Sequence, residues 1–151
     1  MSDRMSSFDC QEPVEGCRPE LRTTLQCLFT WREPIEVDCS FRYSVDDPYA
    51  VSIDLRLVPG ISVTWVVARD LLEEGTRLAS GEGDFRAWCS PGPQRSDRRL
   101  YFTLDRPDGR ATFQANLHEV RRWLCSTYEL VPAGSESELI DWHAWEASLL
   151  G

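Results

Sequence analysis

The sequence predicts an α+β fold, and three observations predict it. Apolar and polar residues alternate in runs through most of positions 21–115, the period of strands with one buried face. Turn signals such as Val58-Pro59-Gly60 and Asp108-Gly109 separate the runs, so neighbouring strands join as antiparallel hairpins. Helix-spaced patterns appear once in mid-chain and then only after position 116. Strands grouped together, with helices after them, distinguish α+β from α/β.

The elements follow in order. Residues 1–20 are rich in Ser, Asp, Glu and Pro and are expected to form a flexible leader, leaving one domain over 21–151. Leu21, Thr23, Leu25, Cys27, Phe29 and Trp31 alternate as the first strand, which Arg32-Glu33-Pro34 interrupts. Ile35, Val37, Cys39, Phe41 and Tyr43 form the inner face of a second. Asp46-Asp47-Pro48 forces a turn, because a residue before Pro avoids helical dihedrals. Val51, Ile53, Leu55 and Leu57 line a third strand, and Ile61, Val63, Trp65 and Val67 a fourth. Pro59-Gly60 turns between them.

Asp70 is then a candidate N-cap, with Glu73 at capping-box spacing and Gly75 as the C′ residue of a short helix. Gly81 and Gly83 frame a loop into a fifth strand, 84–89. An exposed loop follows over 91–97. Leu100, Phe102 and Leu104 pair with Ala111, Phe113 and Ala115. Asn116 should cap a helix over 117–128, whose apolar stripe is Leu117, Val120 and Leu124, widened by Trp123. Val131-Pro132-Ala133-Gly134 ends it. Trp142, Trp145 and Leu149 predict a last helix over 141–150.

The net charge of −9 belongs to the ends. Residues 1–20 carry −3, residues 129–151 carry −5, and the remainder −1. This opposes non-specific nucleic-acid binding, which needs phosphate neutralisation. All 16 basic residues are Arg. No run of about 18 apolar residues offers a membrane span, and the N-terminus lacks a signal-peptide core. A cytoplasmic protein is expected. The six cysteines include no Cys-x-x-Cys and stand away from both histidines, so reduced thiols without metal are expected.

Few residues invite chemistry. Gly81-Glu82-Gly83-Asp84 enters a strand and not a helix, which makes it a turn and not a phosphate loop. Asp46-Asp47 lacks further ligands at cation-loop spacing and reads as a turn with an Asx-type hydrogen bond. Arg69-Asp70 is either a partner contact or a cap with a local ion pair. Arg95, Arg98 and Arg99, near Tyr101, make the most basic loop and the best nucleic-acid candidate, against a solvated loop. Arg121-Arg122 lie on a polar helix face. His118 and His143 are too isolated to name a nucleophile–base site, so neither an enzyme nor a cofactor is expected. Trp142 and Trp145 could anchor a partner or pack on the domain.

Three segments carry a family resemblance: FRYSVDDPYAV at 41–51, WVVARDLLEEG at 65–75 and GEGDFRAW at 81–88. In this order and spacing they resemble the SsgA-like sporulation and cell-division proteins of actinomycetes, over about residues 21–136. The matching positions include Arg42, Tyr43, Asp47, Pro48, Tyr49, Trp65, Arg69, Asp70, Gly75, Gly81, Gly83, Asp84 and Trp88. The resemblance implies two packed antiparallel sheets of whirly-like type with terminal helices, and a homotrimer. It further implies a non-enzymatic adaptor that recruits or tethers the FtsZ division ring at sporulation septa, with FtsZ or another SsgA-like protein as partner. Single-stranded nucleic-acid binding, by analogy with whirly folds, is the alternative. Phe41, Phe85 and Cys89 depart from the residues usual in the family.

Overall fold

In a computed structural model, residues 18–90, 98–107 and 109–139 are described. Eight strands form one antiparallel sheet: β1 (Glu20–Leu28), β2 (Ile35–Arg42), β3 (Ala50–Val58), β4 (Ile61–Ala68), β5 (Ala79–Glu82), β6 (Phe85–Ser90), β7 (Arg99–Arg106) and β8 (Gly109–Asn116). Helix α1 (Arg69–Gly75) follows β4, and α2 (Leu117–Leu130) follows β8; a 3-10 turn spans Glu136–Leu139. The spatial order is β4-β3-β2-β1-β8-β7-β6-β5. Two four-stranded meanders, each followed by a helix, therefore join through β1 and β8.

That join is narrow. β1 matches β2 over eight residue pairs but β8 over only three, Gln26–Gln114, Cys27–Phe113 and Leu28–Thr112. The expected pair of separate sheets is replaced by one continuous sheet whose halves share a core. Phe102 on β7 is the centre of that core. Its ring lies 5.4 Å from Phe113, 6.1 Å from Phe85 and 6.4 Å from Phe41 of the other half. The alternation in sequence explains who meets whom: Val37, Cys39, Phe41 and Tyr43 are buried, as are Val51, Ile53 and Leu55.

The pattern overreaches at the strand ends. Leu57 and Ile61 keep the inward parity yet are 48% and 56% exposed, because the β3–β4 hairpin tip runs past the core. Gly60 turns that tip with φ +84°, and a bulge lies between Arg56 and Val58. Trp31, read as continuing the first strand, lies beyond its end and is 75% exposed. β5 has no counterpart among the strands the sequence predicts. Its four residues pair Ala79 with Trp88 and Glu82 with Phe85, and Gly83 (φ +64°) with Asp84 makes the turn.

Asn116 caps α2, its side-chain oxygen accepting the Glu119 N–H at 2.9 Å. Leu117, Val120, Trp123 and Leu124 all face the core, and Trp123 packs 5.7 Å from Phe41. α2 ends two residues later than the spacing predicts. The expected helix over 141–150 lies outside the described residues.

Candidate functional site

Two features gather the residues singled out by sequence: a buried arginine knot and an open basic cleft. The knot is built on Arg69. This residue starts α1, and its N–H donates to Tyr49 O at 2.7 Å, which ties the helix to the 45–49 turn. Its side chain is fully buried. Nη1 donates to Thr127 O at 3.0 Å, at the end of α2, and Nη2 donates to Glu136 Oε2 at 2.7 Å. The guanidinium lies between two rings, 3.9 Å from the Tyr128 centroid and 4.8 Å from Tyr43. Arginine suits this position because a planar cation can stack on both faces and donate from its edge.

Arg69 Nε has no hydrogen-bond partner among the described residues, whereas the tyrosine hydroxyls and Glu136 around it do. Tyr43 donates its hydroxyl to Pro48 O, and Tyr128 donates to Asp70 Oδ1. Gly134 N–H donates to Glu136 Oε1. The hydrogen bond from Arg69 holds the Glu136 carboxyl below its ordinary range. Burial raises the Tyr43 phenol to about 12, and burial followed by the bond to Asp70 raises that of Tyr128.

This corrects two readings. Asp70 is not the N-cap. Ala68 holds that position without a side-chain bond, Asp70 serves Tyr128, and Glu73 instead accepts two bonds from Arg77. The Arg69 ion pair is not local, because its partner is 67 residues away. With no exposed surface, Arg69 offers nothing for a partner to touch. The turn before it also differs from expectation. Ser44, and not an aspartate, supplies the side-chain oxygen, accepting the Asp46 N–H at 3.1 Å.

The other signature residues lie around the sheet. Arg42 pairs with Asp54 at 2.7 Å on the outer face of β2 and β3. Asp47 O accepts the Ala50 N–H, and the Tyr49 ring is exposed. Trp65 lies 5.5 Å beneath Arg106 at the end of β7. Gly75 does not adopt the left-handed conformation of a C′ residue; it is the last residue of α1. A Cβ there would come within 2.4 Å of the Ala87 Cβ, so glycine permits α1 to touch β6. Gly81 similarly lies under the Arg86 side chain. Asp84 O accepts the Asp105 N–H. Trp88 stacks on Tyr101, their centroids 5.7 Å apart.

The cleft lies at the start of α2. Arg98 joins His118, Arg121, Arg122 and Cys125 around a volume of about 310 Å³ floored by Leu117. The four α2 residues are spaced i, i+3, i+4 and i+7, one face of a helix. Leu117 N–H donates to Arg98 O, which brings the strand entry to the helix. Sequence reading missed this assembly. The helical spacing was visible, but Arg98 joins it only through the fold. Arg98 and Arg99 part company, since Arg99 is half-buried on β7. Arg95, Trp142 and Trp145 lie outside the described residues.

Cys27, Cys39, Cys89 and Cys125 are free thiols, and burial raises that of Cys39 to about 12. Among the described residues, no three His, Cys, Asp or Glu side chains gather as a metal site, and no helix is long and apolar enough to cross a membrane.

The sheet, the signature knot and the order of elements define a family. The family described as Streptomyces sporulation and cell division protein, SsgA, matches residues 37–136. The chain belongs to that family. Among its relatives is the sporulation-specific cell division protein SsgB of Thermobifida fusca, 39% identical over 117 residues, covering 78% of this chain and 83% of the relative. SsgB of Streptomyces coelicolor is 32% identical over 127 residues, covering 80% and 91%. A crystal structure of an SsgA-like sporulation-specific cell division protein from T. fusca superposes with TM-score 0.79 at 36% identity, covering 89% of this chain and 97% of that one. A structure reported with mutations in S. coelicolor SsgB that correlate to longitudinal cell division during sporulation gives TM-score 0.76 at 29% identity, covering 82% and 96%.

Proposed function

We propose that this protein is a non-enzymatic adaptor in sporulation-specific cell division, acting in the cytoplasm at septation sites, where it recruits or tethers the FtsZ ring directly or through another SsgA-like protein. The observation that carries this reading is the extent of similarity to SsgB proteins, which spans most of both chains in sequence and fold. On the same reading the two halves of the sheet act as a whirly-like pair, and the chain assembles as a homotrimer. β4 supports assembly, because it is a sheet edge with open backbone groups. Exposed Leu57, Ile61 and Val66 lie along or beside it. A closed ring of three copies would cover such edges and present several equal partner sites, raising avidity.

The test is to tag the protein in sporulating hyphae and follow it with FtsZ. Co-localisation in ladders of septa, and co-sedimentation with FtsZ polymers, are expected. Diffuse signal through septation would reject the role. Light scattering with size exclusion should give about 52 kDa, three times the 17.3 kDa chain; monomer mass at every dilution would reject the trimer. Single-stranded nucleic-acid binding has less behind it, since the acidic ends repel phosphate and the Trp88 and Tyr101 rings stack on each other. Salt-dependent oligonucleotide binding at micromolar protein would reverse that order.

A further inference from the structure

We infer that the cleft between Arg98 and the His118–Cys125 face of α2 is a docking site for a short acidic peptide segment of a partner protein. The inference deepens the adaptor reading by naming a surface and the chemistry of what it takes.

The cleft concentrates positive charge that no carboxylate among the described residues pairs with. Arg98, Arg121 and Arg122 are exposed, and none forms an ion pair among the described residues. Two carboxylates flanking the cleft bond to other groups. Glu119, beside Arg122, accepts the Thr23 hydroxyl at 2.8 Å. Glu73, in the concavity beyond Arg121, accepts both N–H groups of Arg77 at 2.9 Å. The backbone of α2 fixes the spacing of Arg121, Arg122 and His118, and the Asn116 cap fixes the start of that helix. Guanidinium groups held in such a fork recognise carboxylates through paired N–H donors.

Size and surroundings select the occupant. A volume of about 310 Å³ admits a few side chains, not a domain. Glu119 on one flank and Glu129 on the other would repel a long polyanion, so a nucleic-acid strand crossing the cleft would run onto acidic surface. A peptide with two or three acidic residues ends before reaching them. Leu117 in the floor gives such a peptide one apolar contact.

Fluorescence anisotropy with the full chain and fluorescein-labelled triglutamate tests the inference, with triglutamine as control. Saturable binding to triglutamate alone is expected, weakening as salt screens the charges. The Arg121→Gln/Arg122→Gln variant, and separately Arg98→Gln, should each weaken binding at least about tenfold. Arg110→Gln removes an arginine already paired with Asp105 and should leave affinity unchanged. Circular dichroism melting of each variant reports whether it folds.

No saturable binding, or equal binding by the folded Arg121→Gln/Arg122→Gln variant, overturns the inference. So does tighter binding of oligothymidylate through the same arginines. A tenfold gain for triglutamate in the Asp141→Asn/Glu146→Gln chain would assign the cleft to the protein's own acidic end and also overturn it. Absence of peptide binding by the unaltered protein, with its septal localisation intact, removes the cleft and leaves the septal role standing. The converse result removes the septal role alone.

Discussion

Arg69 and Arg121 carry the same side chain under opposite conditions. Arg69 has no exposed surface, two hydrogen-bond acceptors and an aromatic ring on each face. Arg121 is exposed on a helix and meets no carboxylate within ion-pair distance among the described residues. Burial makes the first a structural part, since a guanidinium out of water depends on internal acceptors, here for its two Nη groups. Exposure without a partner among the described residues leaves the second able to recognise something else. Family signature and basic face therefore separate here. Tyr43, Pro48, Tyr49, Arg69 and Asp70 form one internal knot, while the basic face lies on residues the signature does not include.

The largest expected effect breaks the knot. Arg69→Met should destabilise the protein by about 3–5 kcal/mol, because it leaves Glu136 charged and unpaired. Adding Glu136→Leu should recover part of the loss, since the uncompensated charge then goes too. Urea titration of both variants measures this. A loss below about 1 kcal/mol would mean that the ion pair is not what holds the end of α2.

The next effect concerns pH. Glu136 is held below its ordinary carboxyl range in the folded state, so its ionised form adds stability that is fully present above the unfolded value. That contribution fades as pH falls through the lower folded value. Glu136→Gln should cost about 2 kcal/mol at neutral pH, the scale of a charged hydrogen bond. The gap between variant and parent should narrow between about pH 6 and about pH 3. Asp54 is also lowered: burial opposes ionisation, but bonds from Thr64 and Arg42 outweigh it. Because Asp54 titrates in both proteins, the difference isolates Glu136. A gap that widens with acid would show that the sign is wrong.

Local signals were legible and long-range ones were not. Inward parity on β2 and β3 could be read because each strand repeats every two residues, and the α2 cap because Asn116 directly precedes an apolar stripe. Leu57 and Ile61 misled because parity reports which way a residue faces, not how far the core extends. β5 escaped because Ala79-Ser80-Gly81-Glu82 has neither β-branched nor aromatic residues. The strand exists because β6 offers it partners. Asp70 had every local mark of a cap, yet Tyr128, 58 residues away, claimed its carboxylate. Gly75 was correctly marked as special for the wrong reason: the constraint is the Ala87 side chain and not its own φ.

A smaller effect tests the helix that presents the basic face. Asn116→Ala removes the acceptor for Glu119 N–H and should cost about 1 kcal/mol. The loss should appear in thermal melting, and hydrogen exchange should quicken first at 118–119. Triglutamate affinity should fall with it if the first turn of α2 must be ordered to set the spacing of His118 and Arg121.

The smallest effect on stability is expected where the effect on binding is greatest. Arg121→Gln/Arg122→Gln should change stability by no more than about 0.5 kcal/mol. Glutamine and arginine have similar helix propensity, so α2 loses little by the exchange. Among the described residues, neither arginine has a partner whose hydrogen bond would be orphaned. Removing two adjacent positive charges that also face Arg98 relieves repulsion, which pushes the balance toward zero or a slight gain. The same change in the knot would be ruinous, because Arg69 has donors committed to Thr127 O and Glu136. Chemical denaturation of the double variant therefore sharpens the contrast. A loss above about 1 kcal/mol would mean that the basic face holds the fold together, and arginines needed for folding could not be read as kept free for a partner.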